Sequence, residues 1–150
     1  MSRIQLALNV NDLDEAIAFY AKLFNAQPTK TRPGYANFAI IEPPLKLVLF
    51  ENRGRGGSIN HLGVEVPDVE TVGREQGRLA EAGLASTAEH DTTCCYAKQD
   101  KFWVQGAPDG ARWEIYTVLA DSEAFSAEAG RCCGTSMVPA RHPEAESICC

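Results

Sequence analysis

At 150 residues, 45% hydrophobic and 23% charged, the chain has the make-up of a globular protein able to bury one good core. Its formal net charge of -6 argues against a nucleic-acid partner, because phosphate binding is driven by Lys and Arg neutralising the backbone. No apolar run approaches the roughly 20 residues a spanning helix needs, and Met1-Ser2-Arg3-Ile4-Gln5 shows no secretory signal, so the expectation is a cytoplasmic protein with no membrane partner.

The first predicted strand lies in Ile4-Gln-Leu-Ala-Leu-Asn-Val-Asn-Asp-Leu13, which alternates with period 2. Leu6, Leu8 and Val10 form its apolar face, while Gln5, Ala7 and Asn9 form the other. Asp12 with Glu15 three residues on is a helix-capping arrangement. Leu13, Ala16, Ile17, Tyr20 and Phe24 then follow at helical spacing, an apolar stripe able to cover the strand. Strand-like runs come next over roughly 27–31, 35–42 and 45–51, punctuated by Pro33-Gly34 and Pro43-Pro44.

Sliding the chain along itself by 56 residues repeats the pattern. Asn60-His-Leu-Gly-Val-Glu-Val-Pro-Asp-Val69 sets His61 on Gln5, Leu62 on Leu6, Val64 on Leu8 and Asp68 on Asp12. A second helix follows, with Val69, Val72 and Leu79 as a thinner stripe, Gly73 and Gly77 as weak points and Gly83 as its stop. Strands are expected over 85–89, 94–105 and 112–119, with a turn at Pro108-Asp109-Gly110. The fold class is therefore α+β: two β-α-β-β-β modules, about 3–52 and 58–119, forming a cupped sheet around a metal site within one domain, 1–120. From Asp121 to Cys150 the apolar periodicity fails, which reads as a flexible, cysteine-containing tail.

The repeat puts Gln5 and His61 at equivalent places on the strand face turned away from the helices. In Trp113-Glu114-Ile115-Tyr116, alternation sends Glu114 to that face if Trp113 and Ile115 pack on the helices. Each alone is an ordinary polar residue on an open sheet face. Together they offer one imidazole, one carboxylate and one amide, a sparse ligand set that leaves coordination positions open. This is the logic of non-haem Fe(II) centres, with Gln where the usual triad has a second His.

The six cysteines come as adjacent pairs, Cys94-Cys95, Cys132-Cys133 and Cys149-Cys150. Adjacent Cα atoms lie about 3.8 Å apart, too close for an ordinary disulfide within the pair. Cys94-Cys95 thus reads either as a soft-ion ligand pair or as two small buried hydrophobes. The two later pairs are either auxiliary ligands or incidental. His90 and His142 read as surface histidines, and Lys98, Lys101 and Arg112 either solvate the surface or supply one cation for an anionic substrate group.

The doubled module resembles the vicinal oxygen chelate superfamily, which includes glyoxalases and extradiol dioxygenases. Gly34-Tyr-Ala-Asn-Phe38, Glu42-Pro-Pro-Leu-Lys-Leu-Val-Leu49, Asn60-His-Leu-Gly-Val-Glu-Val66 and Cys94-Cys-Tyr96 are more narrowly similar to the carbon–arsenic lyases, and closely similar sequences are called cadmium-induced proteins. The resemblance covers about residues 1–120. It implies a dioxygenase that cleaves the carbon–arsenic bond of trivalent organoarsenicals, methyl or aryl, and releases arsenite. It implies Fe(II) held by Gln5, His61 and Glu114, with Ni, Co or Zn as substitutes, O2 as co-substrate, and Cys94 and Cys95 as the arsenic ligands. Metalloid or cadmium sequestration without catalysis is the alternative. A glyoxalase-like isomerisation ranks third, since such sites take a further carboxylate from the first module's last strand, where Leu45 to Phe50 offers only Lys46 among charged residues.

Overall fold

A computed structural model describes residues 1–126. The expected tail, with Cys132, Cys133, Cys149 and Cys150, lies almost wholly outside the described residues. Strand β1 (Arg3–Val10) leads into helix α1 (Leu13–Phe24), then β2 (Lys30–Arg32), β3 (Tyr35–Ile40) and β4 (Leu45–Glu51). The second module repeats this with β5 (Ile59–Glu65), α2 (Val69–Glu81), β6 (Ser86–Cys94), β7 (Ala97–Val104) and β8 (Trp113–Asp121). A short 3-10 turn at Pro108–Gly110 precedes β8. No described helix is long and apolar enough to cross a membrane.

Both helices start where capping chemistry places them. The Asp12 carboxylate accepts from the Glu15 amide at 2.8 Å, and that of Asp68 from the Thr71 amide at 2.7 Å. The α1 stripe packs with Leu6, Leu8 and Val10 and with the apolar side chains of β3 and β4. Val72 and Leu79 of α2 meet Val64, Val66, Phe102 and Ile115. Each module thus buries one sheet face under its own helix, leaving the other face of every strand to line the cup.

The eight strands form one curled sheet in the order β2-β3-β4-β1-β5-β8-β7-β6. The two modules join edge to edge within the chain through the antiparallel pair β1–β5, where Gln5 faces Gly63 and Ala7 faces His61. Because Gln5 is equivalent to His61 and Ala7 to Gly63 under the repeat, this register maps onto itself when the modules are exchanged. A local two-fold axis therefore passes between the two pairs, and Gln5 and His61 face each other diagonally across it, with small residues at the other two corners.

The boundary between the expected strands 85–89 and 94–105 differs most from the sequence reading, since β6 runs on to Cys94. The hairpin turn joining β6 and β7 is Cys95-Tyr96, with φ of 55° and 62°, so Cys94 closes β6 and neither cysteine opens β7. Two left-handed residues make a tight turn that normally calls for Asn-Gly. The turn-like residues before it, around Asp91 with φ of 47°, instead lie at a register shift between Glu89 and Thr92 within β6.

Candidate metal centre and sulfur pair

The register brings Gln5, His61 and Glu114 together at the seam of the cup. They come from β1, β5 and β8, and all three are nearly removed from solvent at 5%, 2% and 3% exposure. The Gln5 amide nitrogen lies 3.0 Å from His61 Nε2 and donates to Glu114 Oε1 at 2.8 Å, and the last two atoms are 3.3 Å apart. Ile115 packs against α2, so alternation along β8 turns Glu114 into the cup. Gly63 makes room: a Cβ there would stand 3.1 Å from Glu114 Cγ and 3.4 Å from Gln5 Nε2.

A chain of side chains fixes the imidazole tautomer. Ser58 Oγ donates to the Arg55 carbonyl and so accepts from Asn9 Nδ2 at 2.9 Å. Asn9 Oδ1 accepts from Asn60 Nδ2 at 3.0 Å, which turns Asn60 Oδ1 toward His61 Nδ1 at 2.8 Å. Nδ1 therefore carries the hydrogen and Nε2 presents its lone pair to the site.

That lone pair faces an ionised carboxylate. Burial pushes the Glu114 carboxyl up, but the Lys101 charge beside it outweighs burial and holds the group well below the usual carboxylate range. Lys101 Nζ reaches Glu114 Oε2 at 3.2 Å and lies over the Trp103 ring, 4.9 Å from its centroid. Two acceptors 3.3 Å apart in a dry site require positive charge between them. The hydrogens of the Gln5 amide supply it here; a divalent cation would meet the same requirement, with nitrogen and oxygen donors that suit Fe(II)-type ions. Among the described residues no three His, Cys, Asp or Glu side chains cluster as a metal site, and the set reaches three donors only through the Gln5 amide.

The set is asymmetric despite the repeat. Pairing of β5 with β8 sets Glu114 beside Gly63, while pairing of β1 with β4 sets Val48 beside Ala7. Module 1 thus has an isopropyl group where module 2 has a carboxylate, and it adds no acid to the centre.

Gln5, His61, Glu114 and Cys95 line one cavity of about 260 Å³. Cys94 is buried with Tyr35, Phe50 and Trp103, and its sulfur lies 3.2 Å from that of Cys95. The Cys95-Tyr96 turn is held from several sides. Lys30 Nζ and the Ser122 amide both donate to the Tyr96 carbonyl at 2.9 Å, and the Cys95 amide donates to the Phe125 carbonyl at 2.8 Å. Tyr96 packs against the rings of Tyr35 and Phe125, and Ser126 bridges to Cys94.

Lys101, Phe125 and the Asn9–Asn60 pair escaped the sequence reading. Lys101 is 1% exposed, not a surface residue. Its signal was available: Gln99, Lys101 and Trp103 share the period-2 phase that faces the cup. His90, by contrast, lies on the surface within 3.6 Å of Asp100.

A model of the Glyoxalase/Bleomycin resistance protein/Dioxygenase superfamily matches residues 3–115. The chain is 61% identical to the cadmium-induced protein CadI of Mycobacterium tuberculosis (strain ATCC 25618 / H37Rv), a match covering 89% of this chain and 93% of that protein. It is 56% identical to a trivalent organoarsenical cleaving enzyme of Thermomonospora curvata, covering 89% of each. The fold is shared with the Mn(II)-bound glyoxalase of Novosphingobium aromaticivorans (TM-score 0.57, 19% identity, covering 81% of this chain and 42% of that one). An extradiol ring-cleaving dioxygenase from B. fuscum gives a TM-score of 0.58 at 18% identity, covering 81% of this chain and 34% of that one. At such identities the likeness is one of fold alone.

Proposed function

We propose, from the premise that this chain belongs to the Glyoxalase/Bleomycin resistance protein/Dioxygenase superfamily, that it cleaves the carbon–arsenic bond of trivalent organoarsenicals, methyl or aryl, with Fe(II) and O2, and releases arsenite. The observation that carries this reading is the meeting of two unlike donor types at one cavity: Gln5, His61 and Glu114 line it together with Cys95, and the buried Cys94 sulfur lies 3.2 Å from that of Cys95. The name of the relative at 56% identity supports the substrate class.

On this reading Gln5, His61 and Glu114 hold Fe(II), which when bound supplies the activation of dioxygen. Cys94 is disulfide-bonded in this structure, and once a thiol reductant has opened that bond Cys94 and Cys95 exchange with the two hydroxyls of an organoarsenous acid. Two As–S bonds form, two As–O bonds break, and two waters leave with no change of oxidation state. Soft sulfur selects soft As(III), and adjacent sulfurs 3.2 Å apart can share one centre. Tethering the arsenical converts an encounter between substrate and centre into an event within one complex. Lys101 balances the Glu114 charge, and the rings of Tyr35, Phe50 and Trp103 keep the surroundings dry. A cytoplasmic setting suits this chemistry, because thiols stay reduced there.

The test is to give Fe(II)-loaded protein a trivalent methyl- or phenylarsenical with and without oxygen and to assay arsenite. Arsenite should form only with oxygen, and Cys94→Ser or Cys95→Ser should abolish turnover while iron content is kept. Release without oxygen contradicts the reading. Stoichiometric binding of arsenite or Cd(II) with no product would instead favour sequestration, the reading suggested by the name of the cadmium-induced relative.

A further inference from the structure

A glutamine is an ambiguous metal ligand, because only one end of its amide can coordinate. Gln5 has its nitrogen toward His61 and Glu114, and its oxygen accepts from the Tyr116 hydroxyl. For a cation to occupy the centre, the amide must present oxygen inward, which turns its NH2 toward Tyr116. Whether that orientation is satisfied depends on where the phenol places its single hydrogen.

Tyr116 has two acceptors in reach, Gln5 Oε1 and Glu65 Oε2, the latter at 3.1 Å. Both cannot hold one hydrogen. Glu65 is bound by Arg3 through both carboxylate oxygens, at 3.1 to 3.3 Å, and by Lys46 Nζ at 3.2 Å. It therefore offers the phenol an ionised acceptor, the stronger kind. With the hydrogen on Glu65, the phenol oxygen has a lone pair for the inverted Gln5 NH2. With the hydrogen on Gln5, the amide stays nitrogen-inward. The Tyr116 ring is fully buried, and Lys46 Nζ lies 5.0 Å from its centroid, so the phenol oxygen is held between its two partners.

We propose that Glu65 and Tyr116 form a positioning relay that sets which end of the Gln5 amide faces the metal centre, with Tyr116 a donor to Gln5 while the amide nitrogen points inward and an acceptor from it when the amide oxygen is turned inward to a cation. This rests on the metal reading above. Neither residue is a ligand in this reading; both act through Gln5. The relay also gives a reason for the ion pairs that Glu65 makes with Arg3 and Lys46 in the lining of the same cavity: they keep an anion where the phenol hydrogen must go.

The test is a Co(II) titration, read by binding affinity and by the visible d–d spectrum, and needs no turnover. In the Gln5 background, Tyr116→Phe should weaken Co(II) binding by about 10–100-fold and alter the spectrum. Glu65→Gln, which leaves the Tyr116 ring in place, should weaken it in the same direction. In a Gln5→Glu background both ends of the side chain are oxygen, so adding Tyr116→Phe should change affinity by no more than about two-fold. Equal losses in the two backgrounds would show that Tyr116 serves only packing and would overturn the relay, as would an unchanged affinity in Tyr116→Phe alone. Failure of the unaltered protein to bind Co(II) is a separate result, which removes the metal reading itself and the relay with it.

Discussion

His61 can act as a ligand only if its Nε2 lone pair faces the site, and Asn60 is the residue that ensures this. Asn60 Oδ1 takes the Nδ1 hydrogen, and its own amide is oriented by Asn9 on the neighbouring strand. Asn60→Ala removes the acceptor and lets the imidazole turn or change tautomer. The expected result is a loss of about 10–100-fold in Co(II) affinity with little change in fold. Asn60→Asp keeps an acceptor on Nδ1 and should recover most of it. Unchanged binding in the Ala variant, followed by the same titration, would remove the tautomer argument. This residue-level detail was not legible beforehand. Gln5, His61 and Glu114 could be placed on one face by alternation alone, but the Asn9–Asn60 contact depends on the antiparallel register of β1 with β5. Sequence periodicity specifies which face a residue takes and leaves the partner strand open.

Among the elements, α2 was the least secure on sequence because of Gly73 and Gly77, yet it runs unbroken from Val69 to Glu81. Its buried side, Val72 and Leu79 against Phe102 and Ile115, outweighs the propensity deficit, as tertiary packing commonly does. Both glycines are exposed, and a Cβ at either would meet nothing within 4 Å. Gly73→Ala and Gly77→Ala should therefore each stabilise the protein by about 0.4–1 kcal/mol, chiefly by restricting the unfolded chain. Thermal or denaturant unfolding checks this, and a destabilised Ala variant would mean that the outer face of α2 is not open. The β6–β7 turn teaches the opposite lesson. Cys95 and Tyr96 are poor choices for two left-handed positions, so local sequence pointed elsewhere. Contacts from Lys30, Ser122, Tyr35 and Phe125 hold the turn, and most of these come from distant parts of the chain. A turn kept for what its side chains do is one that turn statistics miss.

On the scale of the molecule, the strand pairing that joins the two modules among the described residues is that of β1 with β5, and the buried charged groups are concentrated along this seam. Burial pushes the Glu65 carboxyl up, but Lys46 and Arg3 outweigh burial and hold it below its ordinary 4.5. Glu114, one strand further on, is likewise held low, by the Lys101 charge. A carboxyl whose value falls on folding binds fewer protons in the folded chain than in the unfolded one. Its contribution to stability is thus complete above the unfolded value and drains away as pH falls through the folded value. The protein should accordingly keep its full stability down to about the ordinary carboxylate range near pH 4.5 and lose it progressively below, as the seam loses its negative partners. Glu65→Gln should be less stable than the parent at neutral pH and lose less on acidification, so the two unfolding midpoints converge as pH falls. Denaturant melts across the acid range measure this directly. If the gap between parent and variant stayed constant with pH, Glu65 would not be the ion-paired carboxylate that joins the two halves around the site.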